Sequence, residues 1–193
     1  MTEFQGRRDF AALLDDRRGQ LDAPHYPEQV AAIVAAMVDA FRNGKKVLWC
    51  GNGGSAADAQ HLAAEFSGRF LRERGGLPSE ALSVNTSALT AIGNDFGYEQ
   101  VFARQVEAFV QPGDVVVGIT TSGKSPNVLR AMEAANKLGA TTVGFTGNGG
   151  GRLAEIVNLV LMGPHGYSAI VQEVHITMGH IICDLVEQEL LFA

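Results

Sequence analysis

Val47-Leu48-Trp49-Cys50, followed at once by Gly51-Asn52-Gly53-Gly54-Ser55, reads as a short buried strand running into a glycine-rich loop. The stretch after it reads as a helix from about Ala56 to Arg72. The same order recurs along the chain. Ala81–Val84 is a predicted strand, Ser87–Ala91 opens a helical region, and Val101–Phe109 is helical with Val101, Phe102, Val106 and Phe109 on one side. Pro112-Gly113-Asp114 turns into the strand Val115–Thr120, the polar loop Thr121–Ser125 follows, and a helix opens at Pro126 and ends near Gly139. Thr141–Thr146 is a strand, Gly147–Gly151 a loop and Leu159–Met162 the last strand, before a final helix from about Ser168 to Leu191. Upstream, Val30, Ile33, Val34, Met37, Val38 and Phe41 recur at helical spacing across Tyr26–Arg42. Strands alternating with helices, with few hairpin signals, predict an α/β fold: an open parallel sheet flanked by helices as a three-layer αβα sandwich. A single domain is expected over 1–193, with N-terminal helices over 1–43 and the α/β core and C-terminal helix over 44–193.

Composition narrows the function. The chain has 193 residues, 46% of them hydrophobic and 19% charged, enough to bury a core without disulfides. A net charge of -6 with no Lys/Arg-rich block argues against a nucleic-acid partner. It leaves room for a small anionic substrate, because a few backbone N–H groups hold a phosphate locally. Cys50 and Cys183 lie in apolar segments without metal-type spacing, as buried small hydrophobes of a reducing compartment do. Met1–Asp9 shows no apolar core of signal-peptide type, and no run approaches the ~18 apolar residues of a membrane span. The expectation is a cytoplasmic protein with no membrane partner.

Two loops fall where such a sheet binds ligands, beyond the carboxyl ends of its strands. Asn52-Gly53-Gly54-Ser55 can bring backbone N–H groups and a helix N-terminus to an anion, or it can be only a tight strand-to-helix turn. The second loop invites a different reading, since Gly118-Ile119-Thr120-Thr121-Ser122-Gly123-Lys124-Ser125 matches the P-loop pattern G-x-x-x-x-G-K-S literally. Three features oppose it. Gly118 falls inside the strand, Pro126 removes an N–H where a phosphate-cradling helix presents one, and no later strand ends in an Asp placed for Mg²⁺. What remains is a hydroxyl cluster, Thr120, Thr121, Ser122 and Ser125, suited to a phosphate monoester.

His61 and Glu65, four apart, share one helical face, and Gln172, Glu173, His175 and His180 fall on the terminal helix. Singly, each reads as a polar residue on an amphipathic helix. Together, beyond a phosphate loop, they supply a base and an acid. His175, about 140° round from His180 at ~100° per residue, reads as a structural hydrogen-bonder.

Cys50-Gly51-Asn52-Gly53-Gly54-Ser55-Ala56-Ala57-Asp58-Ala59-Gln60-His61, Gly93-Asn94-Asp95 and Thr120-Thr121-Ser122-Gly123-Lys124-Ser125 together resemble the sugar isomerase (SIS) domain, and more narrowly the phosphoheptose isomerase family, over nearly the whole chain. The resemblance implies aldose–ketose isomerisation of sedoheptulose 7-phosphate to D-glycero-D-manno-heptose 7-phosphate through an enediol(ate), the first step of bacterial heptose precursor synthesis. It implies one Zn²⁺ per subunit on His61, Glu65, Gln172 and His180, with Glu65 as base and His180 as acid. Asn52, Gly53, Gly54, Ser55, Asn94, Asp95, Thr120, Thr121, Ser122, Ser125 and Gln172 would meet the substrate, and a homotetramer would place active sites at subunit interfaces. Gln172 and His180 lie roughly 12 Å apart along a straight helix, so they reach one ion only through an irregular first turn or from different subunits. Asn94-Asp95 after Gly93 also suits a turn. Members of the family tend to carry a charged residue just before the Gln-Glu pair, where this chain has Ser168-Ala169-Ile170-Val171. The rival readings are a non-catalytic SIS-domain regulator or partner-binding protein, and an isomerase of another sugar phosphate. A known SIS-domain binder of the replication initiator lacks the acidic residue and the His at the positions of Glu65 and His180. This chain has both.

Overall fold

The computed structural model describes residues 9–192. Residues 1–8, which hold most of the stretch read above for a signal peptide, lie outside the described residues. Two helices, α1 (Phe10–Arg18) and α2 (Tyr26–Arg42), precede the first strand β1 (Val47–Gly51) and its helix α3 (Gly54–Ser67). Then come β2 (Ser79–Ala81), α4 (Thr86–Phe96), a 3₁₀ turn over Tyr98–Gln100, α5 (Ala103–Phe109) and β3 (Val115–Ile119). The chain continues through α6 (Pro126–Lys137), β4 (Thr141–Thr146), α7 (Gly151–Ile156) and β5 (Leu159–Met162) to the long α8 (Ser168–Phe192).

All strand pairs are parallel, in the order β2-β1-β3-β4-β5. Alternate residues send their side chains to opposite faces. Val47, Trp49, Val115, Val117, Ile119, Val143 and Phe145 join a core with α2, α3 and α8, whereas Leu48, Cys50 and Val116 join one with α5 and α6. The sheet is therefore buried on both faces, as its near-continuous apolar strands require. Gly118 belongs to this packing. A Cβ there would stand 2.8 Å from Val128 Cγ1, so the glycine lets α6 approach β3 and is no part of a nucleotide loop.

The strand order reverses direction between β1 and β3, and the crevice at such a switch point is where open α/β sheets bind ligands. Both polar loops leave that point, one after Gly51 and one after Ile119, which are paired residues.

Several element boundaries differ from the sequence reading. The helix expected to reach Arg72 ends at Ser67, because long-range side chains take its next hydrogen-bonding groups. Glu187 accepts from the backbone N–H groups of Phe70, Leu71 and Arg72, and Arg74 donates to the carbonyls of Glu65, Phe66 and Gly68. The second strand lies two residues earlier than expected, since Trp49 pairs with Ala81 and the chain turns after Leu82. Asn94 and Asp95 sit in the last turn of α4 rather than in a loop, and Gly97 at φ 88° follows them. The α8 helix is long and apolar enough to cross a membrane, with mean hydropathy 1.3 in its most apolar window, yet half of that window is buried. Its apolar residues pack on α2, α3 and the sheet.

Candidate active site

The anion side of the crevice is built from backbone and hydroxyls. Thr120, buried at the end of β3, shares its Oγ1 with Ser125 Oγ at 2.8 Å and with Ser122 Oγ at 3.4 Å. Ser122 Oγ also accepts the Lys124 N–H at 3.3 Å. The tight curl comes from Gly123, at φ 66°, where any Cβ would collide with the Gly150 carbonyl. Pro126 opens α6 directly after Ser125 and needs no N–H of its own there. Thr121 Oγ1 lies 3.2 Å from Ser168 Oγ, so the uncharged start of α8 is tied to the loop by a hydroxyl pair.

The other wall is the start of α3. Gly53 adopts φ 56° and serves as the N-cap without a side-chain bond, while the Ser55 and Ala56 N–H groups turn back onto the Asn52 and Gly53 carbonyls, each at 3.0 Å. Ser55 is buried within that turn. Asn52 is held in place by a residue the sequence gave no reason to single out. Its amide exchanges two hydrogen bonds with the buried Asn127, at 2.9 and 2.8 Å, and Tyr98 Oη donates to its Oδ1 at 3.5 Å. The clasp joins the two loops across the switch point.

The titratable group lies in the seam between α3 and α8. The two helices run side by side in the same direction, with Gly54 opposite Gln172, Leu62 opposite Gly179 and His61 opposite His180. Gly179 sets the spacing, because a Cβ there would stand 2.6 Å from the buried Leu62 Cδ1. The close approach puts His61 Nε2 at 3.0 Å from His180 Nε2 and at 3.1 Å from Glu65 Oε1. One ligand atom from each of His61, Glu65 and His180 lies within 4.8 Å of the others. Two nitrogens and one oxygen of this kind can hold a metal ion, and the two shorter separations approach the roughly 3.3 Å tetrahedron edge implied by ~2.0 Å bonds. Burial, joined by the neighbouring His61, holds the His180 imidazole below the usual histidine range, with Glu65 opposing. It is therefore neutral at pH 7, the form in which imidazole ligates a metal. The ring of Phe70 stacks on His180, centroids 5.5 Å apart and planes 23° apart.

Of the residues singled out in the sequence, His61, Glu65 and His180 come together, and so do Thr120, Ser122 and Ser125. Gln172 does not join the first group. Its amide lies against Gly54, two helical turns before His61, where a Cβ on Gly54 would be 2.7 Å away. Asn94 and Asp95 are exposed and bonded to each other at 2.8 Å. His175 is buried against the sheet with Nε2 3.0 Å from the Thr146 carbonyl, and burial pushes it down to about 4 while that bond opposes. Asp58, one turn before His61, has an Oδ2 with no hydrogen-bond partner, and burial raises its carboxyl to about 6 against the opposing effect of His61. Nothing in the sequence distinguishes Asp58 from a solvated helical acid.

The family described as SIS domain matches residues 24–147. A phosphoheptose isomerase of Roseiflexus sp. (strain RS-1) is 58% identical over 182 residues, covering 94% of this chain and 91% of that one. The Aquifex aeolicus (strain VF5) phosphoheptose isomerase is 52% identical over 84% of this chain and 85% of its own length. Among solved structures, a phosphoheptose isomerase from Neisseria gonorrhoeae superposes with a TM-score of 0.86 at 40% identity, covering 92% of this chain and 96% of that one.

Proposed function

Because the chain belongs to the SIS domain family, and within it to the phosphoheptose isomerases, we propose that it interconverts sedoheptulose 7-phosphate and D-glycero-D-manno-heptose 7-phosphate. The observation that carries this reading is the convergence of His61, Glu65 and His180 in the α3/α8 seam, with the hydroxyl loop at the same crevice. An aldose–ketose isomerase needs an anchor for the phosphate and a base and acid near C1 and C2.

The phosphate is held by Thr120, Thr121, Ser122 and Ser125, with Gly53, Gly54 and Ser55 at the start of α3 beside it. This arrangement explains how a chain of net charge -6 binds an anion without a basic patch. Asn52, Gln172, Asn94 and Asp95 bond the sugar hydroxyls. Glu65 removes the proton alpha to the carbonyl, an enediol(ate) forms, and His180 returns a proton to the neighbouring carbon. His61, Glu65 and His180 would hold the metal, with zinc the ion their donor set suits best and Gln172 the fourth ligand that the family implies. Bound zinc polarises a carbonyl and stabilises a developing negative charge. With a metal bound, Glu65 would have to leave it to act as the base. The protein works in the cytoplasm as a homotetramer.

A non-catalytic regulator has no need of a matched acid and base, and this chain keeps both Glu65 and His180. The deciding experiment is turnover by purified protein across five-, six- and seven-carbon ketose phosphates. The reading expects the seven-carbon ketose to be the best substrate; preference for a shorter sugar would reassign the substrate, and no turnover of any would restore the regulator.

A further inference from the structure

Beyond the catalytic group, the seam holds a second buried cluster that the reaction does not use. Glu187 lies two turns past His180 on α8, and its carboxylate is fully buried. Burial of a lone carboxylate costs several kcal/mol or more, so its partners carry information. Oε1 accepts from Phe70 N at 2.8 Å and from Arg74 Nε at 2.9 Å; Oε2 accepts from Leu71 N and Arg72 N, both at 3.0 Å. Burial pushes this acid up, but the three N–H groups and Arg74 outweigh it and hold the carboxyl below its usual range. Arg74 is almost as buried, with 4% of its side chain exposed. Its remaining nitrogens close the end of α3 on the carbonyls of Glu65 (2.7 Å) and Phe66 (2.8 Å), and on that of Gly68 (3.2 Å). One ion pair thus grips the backbone of Glu65 and the segment that carries Phe70, whose ring lies flat on His180.

We propose that the Glu187–Arg74 pair positions the metal-holding group, fixing Glu65 through its carbonyl and His180 through the Phe70 ring. The inference rests on the metal reading above. Neither Glu187 nor Arg74 touches the reacting atoms, and both are positioning residues. Ligands turned by even a small angle lose metal affinity, and supports of this kind typically contribute about 10- to 100-fold. The hydroxyl loop lies at the other end of the seam, so phosphate binding is left alone. This predicts an effect on kcat with little change in KM.

The test is Co²⁺ uptake by the metal-stripped protein without substrate, read from its visible spectrum, for wild type, Phe70→Leu, Phe70→Tyr and Glu187→Gln. Phe70→Leu should bind Co²⁺ about tenfold more weakly with an altered spectrum and lowered kcat at constant KM, and Phe70→Tyr should restore all three. Glu187→Gln should weaken binding further. If it fails to fold, the Phe70 pair decides the question. Wild-type affinity and spectrum in Phe70→Leu would overturn the proposal, as would a loss that appears only in KM. Wild-type protein that takes up no Co²⁺ would overturn the metal reading and this inference together, whereas normal wild-type uptake with indifferent variants overturns this inference alone.

Discussion

The two halves of the crevice are made in different ways. The phosphate loop is local: Thr120, Ser122 and Ser125 are neighbours in sequence, and the bonds among their hydroxyls span at most five residues. The α3/α8 seam is assembled from positions more than a hundred residues apart, with His61 and His180 separated by 119. The loop works through backbone geometry and shared hydroxyls, and it tolerates small errors because several groups act together. The seam works through three side chains, and their spacing depends on one missing methyl at Gly179. Substitutions in the loop should therefore act on substrate binding, and substitutions in the seam on turnover.

The largest effect is expected in the seam at Glu65. Glu65→Gln keeps the shape and removes the base, so kcat should fall by about 10³-fold or more while the fold survives. Steady-state kinetics with circular dichroism as a folding control checks it; wild-type kcat in this variant would remove Glu65 from the mechanism. Next comes Gly179→Ala. Leu62 is fully buried and has little room to yield, so the added methyl should cost about 1–3 kcal/mol of stability and part the two helices. An ångström of misplacement lowers kcat by roughly 100-fold. Full activity would mean that the seam has slack and tolerates small errors as the loop does.

The loop should answer in KM. Ser122→Ala with Ser125→Ala should raise KM by about 100-fold and change kcat little, since each hydrogen bond to a charged group contributes about 1.5–3 kcal/mol. An unchanged KM would place the phosphate elsewhere. Asn127→Ala should raise KM by a few-fold through the freed Asn52, without any contact to substrate of its own.

The smallest effect concerns stability and pH. His175, at about 4 in the folded chain against an ordinary 6.5, refuses a proton that the unfolded chain accepts. Its contribution to stability is therefore lost as pH falls from about 6.5 to about 4. Asp58 acts in the opposite sense. Its folded value of about 6 lies above the ordinary 3.8, so it favours the folded state in acid and costs stability as pH rises through 6. Metal-free Asp58→Asn should then be more stable than wild type by about 1 kcal/mol at pH 7, allowing for partial solvent screening, with the gain vanishing near pH 4. Urea unfolding at several pH values tests this, and parallel curves for the two proteins would contradict it.

The same local and non-local division decides how far the sequence could be read. The α/β alternation was visible because each strand and helix carries its own periodicity, and β1, β3, β4 and β5 fall within a residue of where Val47, Val115, Thr141 and Leu159 place them. The end of α3 was not visible. Nothing between Ser67 and Arg72 breaks a helix more strongly than Gly68, and the group that stops it, Glu187, is 117 residues from Phe70. The hydroxyl loop was legible from its residues, down to the rejection of a nucleotide loop on the position of Gly118. The His61, Glu65 and His180 group was not. Each reads alone as a polar helical residue, and only the family pattern joined them before the parallel packing of α3 and α8 did. Asn127 and Asp58 carry no local signal, because each matters through what lies beside it in space.

Proton transfer at C2 is the most direct test of the whole account. Sedoheptulose 7-phosphate would be incubated with the protein in D₂O and the aldose product examined by NMR. Wild type should form D-glycero-D-manno-heptose 7-phosphate carrying solvent deuterium at C2, and Glu65→Gln should not. Absence of the aldose, or its formation at the wild-type rate by Glu65→Gln, would contradict it.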